Sequence, residues 1–246
     1  MCRCSKSSSS CKGTTGDRRR RSSLAVEADF VQRSQGPPGR PEPRQRTSLA
    51  VSWLAPIALA GAHASLTPLA RGDEAGLVDA ARDGELWKLW YTSIPTPEGM
   101  AAEIERRLAL QAAGSMLPFT VRDAAGRIAG MTTYMNIDAT HRRVEIGSTW
   151  YATRVQRSAL NTECKLMLLT HAFEVLDCIA VEFRTHFINQ QSRRGIERLG
   201  ARLDGILRNH QRMANGTLRD TCVYSITADE WPMVKAHLRF QLDKPR

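Results

Sequence analysis

From residue 63 onward the apolar positions keep switching between a period of two and a period near 3.6, which restricts the chain to a mixed α/β fold. Residues 64–69 alternate as a strand does. Asp73 is placed to cap a short helix through Ala81, with Leu77, Val78 and Ala81 on one face and Gly84 closing it. Residues 85–91, rich in Trp and Leu, read as buried. Thr96-Pro97-Glu98 reads as a helix start, followed by Met100, Ile104 and Leu108 on one stripe and ended by Gly114. Strands are predicted at 117–122, 128–137 and 143–151, the first two joined by the turn sequence Asp123-Ala124-Ala125-Gly126. The clearest helix spans 161–176, where Leu166, Leu169, Phe173 and Leu176 form a stripe. A strand at 179–186, a short helix at 192–199 closed by Gly200 and a strand at 219–226 follow. Thr227-x-x-Glu230 then opens a last helix carrying Trp231, Val234 and Leu238. The order is β-α-α-β-β-β-α-β-α-β-α, without an internal repeat.

Net charge needs a place before it means anything. The 246 residues carry +10, but residues 1–50 hold eleven Lys/Arg against four Asp/Glu, leaving the rest near neutral. That first stretch contains nine Ser, four Pro, four Gly and one aromatic residue, Phe30. It cannot bury enough apolar surface to offset its ordering entropy, so it reads as a disordered basic tail. The arginine run 18–21 suits an acidic partner or nucleic acid; a solvated extension, or upstream sequence joined in error, suits the composition better. Residues 51–246 are expected to form one domain with its core at about 63–230. No basic face with interleaved aromatics occurs there, so a nucleic-acid partner is not expected. Nothing approaches the roughly 20 apolar residues of a membrane span.

Two further signals are weighed and set aside. Residues 49–64 are small and apolar, follow Arg44 and Arg46, and end in Ala62-His63-Ala64, which imitates a signal-peptidase site. The stretch starts far from the N-terminus and is broken by Pro56 and Gly61, so it reads as a loop leading into the first strand. A secreted protein is the competing reading. Cys2, Cys4 and Cys11 lack zinc-site spacing. Cys164, Cys178 and Cys222 stand singly in apolar patterns, as buried thiols do in a reducing, cytoplasmic setting. No metal site is expected.

Strand 143–151, the loop after it and the helix from Asn161 carry the chemical signal. A loop feeding a helix N-terminus offers unpaired N–H groups and the positive end of the dipole, which suits a phosphate. Arg154 and Arg157 lie in this loop, and Asn161 or Thr162 can cap the helix. An ordinary strand-to-helix connection with two solvated arginines fits equally well.

Here the sequence resembles a known family. The segment Gln156-Arg157-Ser158-Ala159-Leu160-Asn161 is similar to the Gln/Arg-x-x-Gly-x-Gly/Ala pyrophosphate loop of the GNAT N-acetyltransferases. Asn189-x-x-Ser192, then Leu199-Gly200-Ala201 and Asp204-Gly205, resemble the Asn-x-x-Ser…Leu-Gly-Phe…Glu-Gly pattern of the Rim-type branch, which acetylates amino groups including ribosomal-protein N-termini. The departures are Ala159 and Asn161 in place of the loop glycines, and Ala201 in place of an aromatic. The resemblance implies a mixed, mostly antiparallel central sheet flanked by helices. It also implies an enzyme that moves the acetyl group of acetyl-CoA to a primary amine, on a protein N-terminus or a small molecule.

The resemblance also assigns roles. Backbone N–H groups of Thr149, Trp150 and Tyr151 would hold the pantetheine and polarise the thioester. Arg154, Gln156, Arg157, Ser158, Ala159, Leu160, Asn161 and Thr162 would hold the pyrophosphate, and Asn189 would support the arm. Ser192 would donate to the departing thiolate, although a helix N-cap is its plainer role. Glu145 is the first candidate to take the amine proton and His210 the second. Simple pairing of Glu145 with Arg142 or Arg143 competes with that role. Trp87, Trp90 and Tyr91 are placed to line the acceptor site or the core. A homodimer is left open, as is a non-catalytic acyl-CoA-binding module on the same fold, which the altered glycines would suit.

Overall fold

The computed structural model describes residues 53–244. The expectation for residues 1–50, and the first part of the small apolar stretch after them, lie outside the described residues. In order, the elements are β1 (Leu59–Ala60), β2 (Ala64–Pro68), α1 (Glu74–Arg82), α2 (Met100–Ala112), β3 (Met116–Asp123), β4 (Ile128–Asp138) and β5 (Arg143–Tyr151). There follow α3 (Leu160–Thr170), β6 (Ala180–His186), α4 (Gln190–Glu197), β7 (Arg202–Arg212), β8 (Leu218–Thr227) and α5 (Trp231–Asp243). The eight strands form one sheet in the order β1-β2-β3-β4-β5-β6-β8-β7, antiparallel everywhere except between β5 and β6.

Each face of the sheet is sealed by helices. On one face Leu160, Leu168, Leu169 and Phe173 from α3 and its continuation meet Trp231, Val234 and Leu238 of α5 over Tyr134, Val144, Ile146 and Phe183. On the other, Leu77, Ala80 and Ala81 of α1 and Met100 and Ile104 of α2 pack on Met131 and Trp150. Burying one such leucine is worth about 1.5–3 kcal/mol, so these stripes define which way each helix faces. Among the described residues no helix is long and apolar enough to cross a membrane.

Several local expectations are corrected. Asp73 does not cap α1; its carboxylate takes Ala70 N at 3.1 Å, Thr120 Oγ1 at 2.7 Å and the Arg122 guanidinium at 2.6 Å, tying the helix start to β3. Residues 97–99 form a turn and α2 starts at Met100, with Thr96 Oγ1 accepting Gly99 N at 3.1 Å. The stretch 85–91 is only partly buried: Leu86 is inside, while Trp90 is 51% exposed. α3 runs Leu160–Thr170 and passes into a π-helical turn, His171–Val175. The short strand β1 and the eleven-residue β7 were not expected. β7 is an edge strand exposed at every position but Gly205, so it lacks the alternation that burial of one face imposes.

Candidate functional site

The sheet opens at β5. It pairs with β6 only through Arg143↔Ala180, Val144↔Val181 and Glu145↔Glu182; beyond that point the strands part. Within the same stretch its register with β4 slips between Thr133↔Gly147 and Met131↔Trp150, which places a bulge at Ser148 and Thr149. Ser148 has φ 47°, a left-handed backbone. On its β6 side the parted half of β5 therefore has no ladder bond to β6 among the described residues, while its other side stays paired with β4.

The loop after β5 is organised by its own side chains. Residues Thr153–Val155 form a 3₁₀ turn. The Gln156 amide donates to Tyr151 O at 3.0 Å, and Ser158 Oγ donates to Val155 O at 2.6 Å while accepting Leu160 N at 3.3 Å. Arg157 has φ 60° and is exposed. Ala159 sits at φ −67°, so the position that is glycine in the pattern needs no glycine backbone here. Asn161 and Thr162 occupy the first turn of α3, whose leading N–H groups lack intrahelical acceptors. Thr162 is buried and accepts a long 3.4 Å contact from Arg198. Arg154 is not brought to this turn. Its guanidinium donates to Ile128 O at 2.8 Å and to Asp123 at 3.3 Å, and its backbone N–H donates to Asp83 at 3.1 Å, tying the loop to the β3–β4 hairpin and the end of α1.

Glu145 is buried on the same side of the sheet as Met135. It accepts Asn136 Nδ2 at 2.6 Å, and Arg184 Nε lies 3.5 Å from its carboxylate. Burial holds its carboxyl above the ordinary range, against the lowering effects of Asn136 and Arg184. Arg142 and Arg143 do not pair with it; they bind Asp177 and Glu182 instead. Any side chain at Gly147 would place its Cβ 2.8 Å from Glu145 Oε1, so this glycine makes room for the carboxylate. His210 of β7 lies 3.1 Å from Thr221 Oγ1, which Arg219 Nε also reaches at 3.1 Å, and Arg219 in turn acts electrostatically on Glu145. No hydrogen bond or ion pair joins the two expected proton acceptors among the described residues; Arg219 bears on Glu145 only through its charge. Asn189, not Ser192, is the N-cap of α4: its Oδ1 accepts Ser192 N at 3.0 Å. The Ser192 hydroxyl makes no hydrogen bond among the described residues and is half-buried.

Thr149 Oγ1 bonds Thr132 Oγ1 at 2.8 Å and accepts Lys165 Nζ at 2.9 Å. Trp150 points into the α1–α2 core, and Tyr151 packs partly buried on the α3 side. The three described cysteines are free and buried, and burial pushes the Cys164 and Cys178 thiols up to about 12, which suits none of them to act as a nucleophile. Sequence reasoning passed over Asn136, Arg184, Arg219 and Lys165. Lys165 had a readable signal, since a charged residue stood three and four positions before Leu168 and Leu169 on the buried stripe.

A model of the acetyltransferase (GNAT) domain matches residues 64–202. The chain belongs to the GNAT acetyltransferase family. This GNAT chain is 32% identical over 106 residues to a Bacillus subtilis (strain 168) protein provisionally named ribosomal N-acetyltransferase YdaF. That match spans 43% of the chain and 57% of the relative's length. A solved structure from T. thermophilus, described as an acetyltransferase, is similar at 32% identity and TM-score 0.68, over 77% of this chain and 99% of that one. Mycobacterium smegmatis RimJ, solved with CoA-disulfide, shares the fold at 24% identity and TM-score 0.62, over 72% and 88% of the two chains.

Proposed function

We propose that this chain moves the acetyl group of acetyl-CoA to a primary amine, by direct attack of the amine on the thioester while both substrates are bound. The observation that carries this reading is the parting of β5 from β6 beside a bulge, with the N-terminus of α3 at the end of the same strand-loop-helix unit. The bound CoA-disulfide of the M. smegmatis neighbour supports a coenzyme A ligand. In this reading the backbone N–H groups of Thr149, Trp150 and Tyr151 hold the pantetheine and face the carbonyl oxygen as its charge develops. The amides of residues 156–162 receive the pyrophosphate at the α3 N-terminus, and Arg154 serves by fixing the loop rather than by touching phosphate.

Glu145 takes the amine proton, directly or through one water, because its raised carboxyl lies nearer to neutral pH than an exposed one. His210, beside Thr221, is the second candidate proton acceptor. The free Ser192 hydroxyl donates to the thiolate as the carbon–sulfur bond breaks, with Asn189 holding the turn that presents it. The acceptor is a protein N-terminus or a small amine, and the name of the B. subtilis relative makes ribosomal-protein N-terminal peptides the first to try. Titration of the full chain with acetyl-CoA, followed by thiol release against a panel of amines, tests the reading. Absence of any thermal shift at millimolar acetyl-CoA would overturn it.

A further inference from the structure

Lys165 is not explained by stability. Its side chain leaves α3 and is buried against the sheet, only 5% exposed. Nζ donates to Thr149 Oγ1 at 2.9 Å and to Thr132 Oγ1 at 3.2 Å, and among the described residues no carboxylate pairs with it. An ammonium taken out of water with only hydroxyls for partners is costly, and a methionine would fill similar space without that cost. The place it occupies is specific. Thr149 directly follows Ser148, the left-handed residue of the β5 bulge, and lies where β5 has already left β6. The Thr149 hydroxyl also reaches Gly147 O at 3.4 Å, so the chain Lys165–Thr149–Gly147 spans the bulge.

We propose that Lys165 is a positioning residue: acting through Thr149, it holds the β5 bulge in the conformation that aims the strand's free N–H groups at the thioester carbonyl. This rests on the acetyl-CoA reading above. An ammonium has donors and no acceptor, so it fixes Thr149 Oγ1 as an acceptor and turns the hydroxyl hydrogen toward Gly147 O or Thr132 Oγ1. A bulge free to relax would present its N–H groups over a range of directions, and loss of alignment at a reacting carbonyl is expensive in rate. Burial lowers the Lys165 amine to about 8, which leaves it mostly charged at neutral pH.

The test needs no acceptor. Acetyl-CoA carrying ¹³C at the thioester carbonyl is bound to the full chain, its C=O stretch is read by infrared difference spectroscopy, and its Kd is measured by calorimetry. Wild type should lower the stretch below its solution value. Lys165→Met should stay folded with no lower Tm, bind acetyl-CoA within about threefold of the wild-type Kd, and return most of the shift toward the solution value. Thr149→Val cuts the same link while leaving the charge in place, should move the stretch in the same direction, and keeps the proposal testable if Lys165→Met does not fold. A carbonyl shift retained in both variants would overturn the positioning role alone. Wild type that binds no acetyl-CoA at millimolar concentration would overturn the cofactor reading, and this proposal with it.

Discussion

Between Tyr151 and Leu160 the polar side chains Arg154, Gln156 and Ser158 are tied to backbone or carboxylate partners, whereas the rim at residues 89–90 and 187–188 turns apolar side chains to solvent. In the first region the loop is organised before anything binds, and the first turn of α3 is further anchored by Glu163, which accepts Ala62, His63 and Ala64 N–H at 2.9, 2.6 and 2.7 Å. In the second, Leu89, Trp90, Phe187 and Ile188 are exposed, and Trp90 meets His186 edge-on at 5.9 Å. A preorganised cradle suits a ligand of fixed shape such as a diphosphate, because little ordering remains to be done on binding. An exposed aromatic rim suits an acceptor whose shape varies.

The largest effect is expected at Glu145, which lies on the paired half of β5, outside both regions. Glu145→Gln is expected to lower kcat about 10²- to 10³-fold in an amine-acetylation assay, with acetyl-CoA Kd unchanged. A base works deprotonated, so wild-type kcat should rise with pH along a limb displaced above the ordinary carboxyl value, and the variant should lose that limb. A wild-type rate in the variant would leave His210 or bulk water as the proton acceptor. Next in size, Glu163→Ala strands three backbone donors and should lower stability by about 3 kcal/mol in denaturant titration. Gly61→Ala attacks the same contact from the other side, since its Cβ would lie 2.4 Å from the Glu163 carboxyl carbon. If the cradle is preorganised through this latch, both changes should also weaken acetyl-CoA binding.

The contrast also explains what could be read from the sequence. Strands β3 to β5 were legible as runs of buried residues bounded by turn sequences, because helices cover both faces of the sheet, and helix α3 was legible because its buried stripe writes a period into the sequence. The strand-loop-helix unit was legible because its parts are contiguous. β7 was not, because an exposed edge strand imposes no period. Asp73 looked like a helix cap because a cap and a tie to a distant strand use the same residue type; Thr120 and Arg122 decide between them from 47 and 49 residues away. Arg154 carries the same ambiguity, since its bonds to Ile128 O and Asp123 come from 26 and 31 residues away. The surroundings of Glu145 bring Asn136 and Arg184 from two other strands, with the charge of Arg219 on a third, so no local pattern could show them.

Lys165 gives a stability prediction opposite in sign to that for Glu163. Its amine titrates near 8 in the fold against 10.5 unfolded, so between those values the unfolded chain holds more protons and stability rises with pH. Below about pH 8 the full penalty is present, of order 3 kcal/mol for a shift of this size. Lys165→Met should therefore be more stable than wild type at pH 7, with the gap closing toward pH 10 in urea titrations. Cys164, at about 12 against 9.0 unfolded, and the buried Tyr134 and Tyr151, both raised well above 10, lower stability in the upper part of that window, but wild type and variant share them, so the comparison is read from the gap between the two.

The smallest effect is expected at the rim, where it bears on the opening contrast. Trp90 is half exposed, and replacing it removes no buried core, so Trp90→Ala should change stability by less than about 0.5 kcal/mol. If the rim meets the acceptor, the same variant should raise acceptor KM about fivefold, near 1 kcal/mol, with acetyl-CoA Kd and saturated kcat unchanged. That split separates an aromatic that greets one substrate from one that merely closes the end of β6 over His186. An equal loss for both substrates would mean that Trp90 holds the β6 arm in place, and the contrast between a fixed cradle and an adaptable rim would fail at its most exposed residue.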